Sequence, residues 1–378
     1  MPELSQAPAG PYDSAAMDSN FEQAKNFFLQ GVQHFEAGRF EQAQLQFVAS
    51  LSLVPGRPST LMNLGATRIR LGRFEDAAEV LEEVVRAEPA DAEALGHLAT
   101  ALAELGRHRQ ALERVDTALR VAPAVGALWT LRGNLLKDLG RPQEAAQAFQ
   151  NALDHGGDAE LNRYFLAGLR GDQAPAAPPR RYVQGLFDGY AQGFEDHLVQ
   201  VLRYRAPEIL VRGLGPRRFD HVLDLGCGTG LCGQQLRPLS RRITGVDLSA
   251  NMVEQARARG VYDEVLQADL LEALAGRRAQ HDLVIAADVL VYVGALEAVF
   301  AAVGEALVPQ GLFAFTVELA DGTAPMELRA SLRYAHSRAY SDALARQNGL
   351  ELMASAQHPI REDQGVPIEG LFVWLLKP

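Results

Sequence analysis

The rhythm of apolar and polar positions changes near residue 180. Upstream, helical stretches follow one another, separated by short turns that carry Gly-Arg. Downstream, short apolar runs alternate with helical stretches. The runs are "HVLDLG", "RITGVDL", "EVLQADL", "DLVIAAD", "LFAFTVEL", a weaker "LELMASAQ" and "LFVWLLKP". Helices between the first five predict a mainly parallel sheet covered on both faces. Two domains of different class are therefore expected, in keeping with a chain of 378 residues.

The upstream half repeats itself. "AGRFEQA" at 37–43 returns as "LGRFEDA" at 71–77, "LGRHRQA" at 105–111 and "LGRPQEA" at 139–145. Gly38, Gly72, Gly106 and Gly140 are spaced 34 residues apart, as are Ala43, Ala77, Ala111 and Ala145. Gly31, Gly65, Ala99 and Gly133 put a small residue on the first helix of each unit. Glycine lets the chain reverse between helices, and the small positions let two backbones approach. This array resembles the tetratricopeptide (TPR) repeat, a helical solenoid. Four repeats and a capping helix ("AELNRYFLAGL", 159–169) give a domain over 20–170, with 1–19 as a disordered tail. "GDQAPAAPP" (171–179) opens a proline-rich linker over 171–180, and the second domain fills 181–378.

Stacked repeats line a groove with their first helices. One face of each gives Phe28, Val32 and Phe35, then Met62, Ala66 and Ile69, then Gly96, Thr100 and Ala103, then Thr130, Asn134 and Lys137. The groove should grade from apolar to small and polar. Its apolar end would take a protein or peptide, the chain's own tail, or a second subunit in a homodimer.

Charge and cysteines narrow the partners. The net charge of −11 divides as −3 over 1–19, −3 over 20–170 and −5 over 171–378, so no segment is basic and nucleic acid is not expected. No apolar run reaches membrane-spanning length, and the first residues lack a signal peptide's pattern. Cys227 and Cys232, without a histidine cluster, make neither a metal site nor a disulfide framework. A reduced, cytoplasmic protein is expected.

"VLDLGCGTG" (222–230) carries the chemistry. A dinucleotide site needs G-x-G-x-x-G to hold a pyrophosphate at a helix start, but from Gly226 the spacing is G-x-G-x-G, with Leu231 where the third glycine would fall. A carboxylate at Asp224 would also repel a pyrophosphate. S-adenosylmethionine (SAM) has no phosphate, and its ammonium group suits an acid there. Asp247, ending the second strand, serves ribose hydroxyls in either case.

With "GVDLS", "QADL" and "DLVIAADVLVY" following in order, residues 181–378 resemble a class I SAM-dependent methyltransferase. The whole chain resembles the bacterial TPR-containing methyltransferases. That implies a TPR solenoid followed by a Rossmann-like seven-stranded domain whose last strand is antiparallel, with S-adenosylhomocysteine (SAH) as product. Carried over by position, Asp224, Gly226, Cys227 and Gly228 would meet the methionine part and Asp247 the ribose, with Leu248 and Met252 beside the adenine. Asp269 and Leu270 would read the adenine edge, and Ala287 and Asp288 would lie near the methyl group. "LFDGYAQGFEDHL" (186–198) would form a helical cover, with Tyr190 at the cofactor and His197 a candidate base.

The acceptor is less legible. If "LRYAHSRAY" (332–340) is helical, Arg333, His336, Ser337 and Tyr340 share a face. His336 is then a candidate general base, with Tyr334 or Tyr340 lining the acceptor pocket; a solvated helix surface is the plainer reading. No metal site is assembled. Three functions fit: methylation of a protein or peptide held by the groove, methylation of a small molecule, or a non-catalytic SAM-binding module.

Overall fold

The computed structural model describes residues 11–171, 174–190, 198, 202–363 and 365–378, without the side chains of 11–17, 189, 190 and 363. The chain forms two compact units, Met1–Arg163 and Tyr164–Pro378.

The first unit is helical: α1 (Pro11–Glu36), α2 (Phe40–Leu53), α3 (Pro58–Arg70), α4 (Phe74–Ala87), α5 (Ala92–Glu104), α6 (His108–Val121), α7 (Gly126–Asp138), α8 (Pro142–Asp154) and the start of α9 (Ala159–Arg170). Each helix pair turns on one device. Gly38, Gly72, Gly106 and Gly140 have φ of +72°, +71°, +71° and +71°, and each following arginine N–H reaches five residues back to a carbonyl, as Arg73 does to Arg68 at 2.8 Å. This left-handed termination is available to glycine at little strain. The small positions are equally constrained. A Cβ on Gly31, Gly65 or Gly133 would lie 2.6, 2.5 and 2.4 Å from Phe47, Leu81 and Phe149 respectively. In the third repeat the large residue is Val115, and there the chain carries Ala99. All twelve groove positions are half-buried, as expected for a lining. Helix α1 begins at Pro11, and residues 1–10 of the expected tail lie outside the described residues.

The second unit contains the rest of α9, α10 (Arg180–Tyr190) and α11 (Ala206–Gly213), then β1 (Phe219–Leu225), α12 (Leu231–Leu236), β2 (Ser240–Asp247), α13 (Ala250–Arg259), β3 (Glu264–Gln267), α14 (Leu270–Leu274) and β4 (His281–Ala286). After these come α15 (Glu297–Ala306), β5 (Leu307–Leu319), β6 (Met326–Leu328), β7 (Tyr334–His336), α16 (Arg338–Gln347), β8 (Glu351–Asp363) and β9 (Val366–Leu376). The sheet of the described residues has nine strands and runs β3-β2-β1-β4-β5-β7-β6, parallel from β3 to β7 with β6 antiparallel to β7. β9 lies antiparallel to β5, and β8 antiparallel to β9, so the seven expected strands are joined by two short ones, β6 and β7. Along β1, Leu223 and Leu225 face a core shared with Phe300 of α15 and Leu344 of α16. Val222 faces the opposite core, with Leu210 of α11, Leu236 of α12 and Trp374. That alternation is the period-two side-chain rule of a strand.

The two compact units divide within α9. Residues 174–180 are not a free linker: Pro175 O accepts from Tyr334 Oη at 2.9 Å and Ala176 O from Ala295 N at 2.8 Å, both within the second unit. The Tyr164 hydroxyl donates to Leu332 O at 2.8 Å in the same unit.

Candidate functional site

The glycine turn follows β1 at the carboxyl end of the sheet. Gly226, Gly228 and Gly230 have φ of +64°, +53° and +98°, in the left-handed region. A Cβ on Gly226 would come within 2.0 Å of Val289 Cγ2, so both backbone shape and space require glycine. Cys227 N–H donates to Val246 O at 2.9 Å, tying the turn to β2. Gly228 N–H donates to Asp247 Oδ2 at 2.8 Å, while Asp247 Oδ1 accepts from Ser249 N at 2.9 Å. Asp247 is 9 % exposed; burial raises its pKa, against these N–H groups, which stabilise the anion.

Asp224 ends β1 at 1 % exposure. Its Oδ2 accepts from the Tyr262 hydroxyl at 2.7 Å, and Gly233 N–H donates to that phenol oxygen at 3.2 Å. Burial pushes the Asp224 carboxyl up to about 7, opposed by the Tyr262 hydrogen bond and helped by the nearby Asp247 charge. The Cys227 and Cys232 thiols are also raised by burial, which keeps them protonated and inert.

The other cofactor candidates lie along the same strand ends. Leu248 is half-buried, and Met252, in the first turn of α13, is fully buried. Asp269 caps α14, with Oδ1 accepting from Leu271 N at 2.8 Å and its own N–H donating to Glu272 at 3.1 Å. Leu270 is half-buried at the start of that helix. Ala287 O accepts from Tyr204 Oη at 3.2 Å. Asp288 is a non-glycine residue at φ +56°, held by its N–H to Thr316 Oγ1 at 2.7 Å and by Arg361 Nη1 at 2.7 and 2.6 Å from its two carboxylate oxygens. A conformation that strains most side chains persists because these groups fix it.

Sequence reasoning missed what surrounds Asp288. Arg361, on β8, also donates to Glu318 of β5, and both are 2 % exposed. Arg329 lies 3.5 Å from Glu318. Arg333 donates to the Tyr292 hydroxyl at 2.9 Å. These residues come from distant segments, and no spacing in the chain relates them. Helix α10 crosses to the same strand ends: Asp188 accepts from Ser249 Oγ at 2.6 Å, and the Phe187 and Tyr292 rings meet edge to face at 5.0 Å.

The segment 332–340 is not a helix. Tyr334–His336 is β7, and Ser337 caps α16 by accepting from Tyr340 N at 3.2 Å. The expected shared face of Arg333, His336, Ser337 and Tyr340 does not form. His336 is fully buried, with Nε2 2.6 Å from Gly294 O, and burial pulls its pKa down to about 4. Tyr334 is fully buried on Pro175 O. The Tyr340 hydroxyl accepts from Leu296 N at 2.9 Å, and burial pushes it up to about 12. All three are held by backbone contacts, and Tyr334 and His336 are fully buried. His197 and the Tyr190 side chain lie outside the described residues. Among the described residues no group of His, Cys, Asp and Glu could hold a metal, and no helix is long and apolar enough to cross a membrane.

Comparison with known proteins agrees with this arrangement. A methyltransferase-domain family model matches residues 222–311, and TPR models match 34–94, 68–135 and 127–154. Malonyl-[acyl-carrier protein] O-methyltransferase of Enterobacter lignolyticus is 31 % identical over 176 residues, 46 % of this chain and 68 % of that protein. Trans-aconitate 2-methyltransferase of Paracidovorax citrulli is 32 % identical over 127 residues, 33 % of this chain and 48 % of that one. Among solved structures, 1,6-didemethyltoxoflavin-N1-methyltransferase of Burkholderia thailandensis aligns with a TM-score of 0.42 at 22 % identity, over 54 % of this chain and 92 % of its own. With the acid-and-glycine turn, the two family models and the Enterobacter relative together, the chain belongs to the class I SAM-dependent methyltransferases, carries N-terminal TPR repeats, and takes SAM as its cofactor.

Proposed function

We propose that the second unit transfers the SAM methyl group to a protein or peptide acceptor captured in the TPR groove. The observation that carries the cofactor part is the paired-acid turn, with Asp224 and Asp247 buried on either side of a glycine cradle that has no room for a Cβ at Gly226. That donor set fits SAM: a buried acid suits its ammonium and a second acid its ribose hydroxyls. Gly226, Cys227 and Gly228 would border the methionine part, with Leu248, Met252, Asp269 and Leu270 around the adenine. Ala287 and Asp288 would border the reacting centre. SAM when bound supplies a sulfonium methyl group that leaves by in-line displacement.

The chain's own contribution is alignment and exclusion of water. Asp288 cannot serve as a free base while both its oxygens face Arg361. Its part is to fix the backbone after β4. Helix α10, latched by Asp188 to Ser249, would close the cofactor side.

The half-buried apolar lining of Phe28, Val32, Phe35, Met62 and Ile69 supports a peptide acceptor. A small-molecule acceptor is the second reading, supported by a relative whose name specifies trans-aconitate. Labelled methyl from SAM, offered to a cell extract with the full chain, separates them. Label in the protein fraction that falls at least tenfold on Met62→Glu/Ile69→Glu supports groove capture. Label confined to small molecules and indifferent to those substitutions contradicts it.

A further inference from the structure

Tyr262 sits ahead of β3 and belongs to none of the motifs that mark the cofactor turn, yet the turn is built around it. Its hydroxyl donates to Asp224 Oδ2 at 2.7 Å and accepts from Gly233 N at 3.2 Å. Its ring lies where two glycines make room. A Cβ on Gly233 would be 2.4 Å from Tyr262 Cζ, and one on Gly245 would be 3.0 Å from Tyr262 Cε1. Gly233 is therefore a glycine because of a phenol, not because of a phosphate.

We infer that Tyr262 is a positioning residue for cofactor recognition, favouring the ionised form of Asp224 and orienting it toward the methionine ammonium, so that affinity for the cofactor depends on pH through this pair. The inference rests on the reading that Asp224 receives the ammonium. The physical reason is the burial of Asp224. A carboxylate at 1 % exposure loses its hydration, and the phenol hydrogen bond replaces part of it.

The other groups around Asp224 do not compensate. Asp247 on β2 is like-charged, Cys227 in the turn and Cys232 on α12 are buried thiols, and Tyr204 ahead of α11 donates to Ala287 O. Tyr262 is the hydroxyl donor that these residues lack. Since burial raises Asp224 to about 7, the free enzyme carries it partly protonated at neutral pH. The ammonium then binds best above that value and progressively worse below it.

Calorimetric titration of SAH between about pH 5.5 and 8.5 tests this, with 5′-methylthioadenosine, which lacks the ammonium, as the companion ligand. The full-length chain should bind SAH about tenfold or more weakly at the acid end, while methylthioadenosine changes little. In Tyr262→Phe, which keeps the ring over Gly233, the midpoint of the SAH profile should move up by about 1–2 pH units. Asp224→Asn should bind SAH weakly and flatten the profile. A Tyr262→Phe profile that superimposes on the parent, or that loses SAH and methylthioadenosine equally at every pH, overturns the inference. Failure of the parent chain to bind SAH at all overturns the cofactor-site reading instead.

Discussion

His336 Nε2 stands 2.6 Å from the carbonyl oxygen of Gly294, in a site with no exposure to solvent. The neutral ring donates there, and Nδ1 has no hydrogen-bond partner among the described residues. With its folded pKa pulled to about 4, below the ordinary 6.5, the folded state binds fewer protons than the unfolded chain between those values. His336 therefore supports the fold fully above about pH 6.5 and loses that support as pH falls toward 4. His336→Gln should cost about 1–3 kcal/mol at pH 7.5 and flatten the acid limb of urea unfolding, with SAH affinity unchanged. An unchanged stability with a turnover loss of about 10²–10⁴-fold would restore the general-base role.

Arg361 balances two carboxylates, Asp288 and Glu318, in a buried cluster. Removing it strands Asp288 and leaves Glu318 with Arg329 at 3.5 Å. Arg361→Met should destabilise the protein by about 3–5 kcal/mol in chemical denaturation. Adding Asp288→Asn should recover part of that loss, because the stranded charge is gone. Additive single and double variants would show that the pair is uncoupled.

Asp247 accepts from Gly228 N and Ser249 N and is the proposed partner of the ribose hydroxyls. Asp247→Ala should weaken SAH by about 1.5–3 kcal/mol, read by calorimetry. A loss within experimental scatter would move ribose recognition elsewhere.

The repeat array makes its own prediction. Gly133→Ala pushes a Cβ to 2.4 Å from Phe149 Cε1 and should destabilise the first unit by about 1–3 kcal/mol. Gly133→Ala/Phe149→Val copies the third repeat's Ala99 and Val115 combination. That double variant should be more stable than Gly133→Ala alone, as read by thermal unfolding. The opposite order would show that the two positions are not matched in size.

Much of the fold is legible because local rules and packing agree. The 34-residue step, the Gly-Arg turns and the small positions each have one steric cause, and all recur four times. The strands were visible as apolar runs, and the antiparallel last strand came from the family resemblance. What failed was tertiary. Residues 332–340 carry polar side chains at helical spacing, but Tyr334–His336 pairs in register with β5 and β6, and pairing partners far along the chain leave no local trace. Proline-rich 174–180 reads as a linker because its prolines say nothing of the carbonyls that Tyr334 and Ala295 N–H use. Tyr262 and Arg361 were missed for the same reason. Each is unremarkable in sequence and acts through a residue 38 or 73 positions away. For Tyr262 a faint signal existed, in Gly233 and Gly245, two glycines that the nucleotide motifs did not need.

On the proposed reading, the acid-and-glycine turn binds SAM and its product. Calorimetry of the purified full-length chain with SAH and, separately, NAD tests it most directly. SAH should bind with a Kd of about micromolar order, and NAD should give no measurable heat. Binding of NAD with no response to SAH would contradict it.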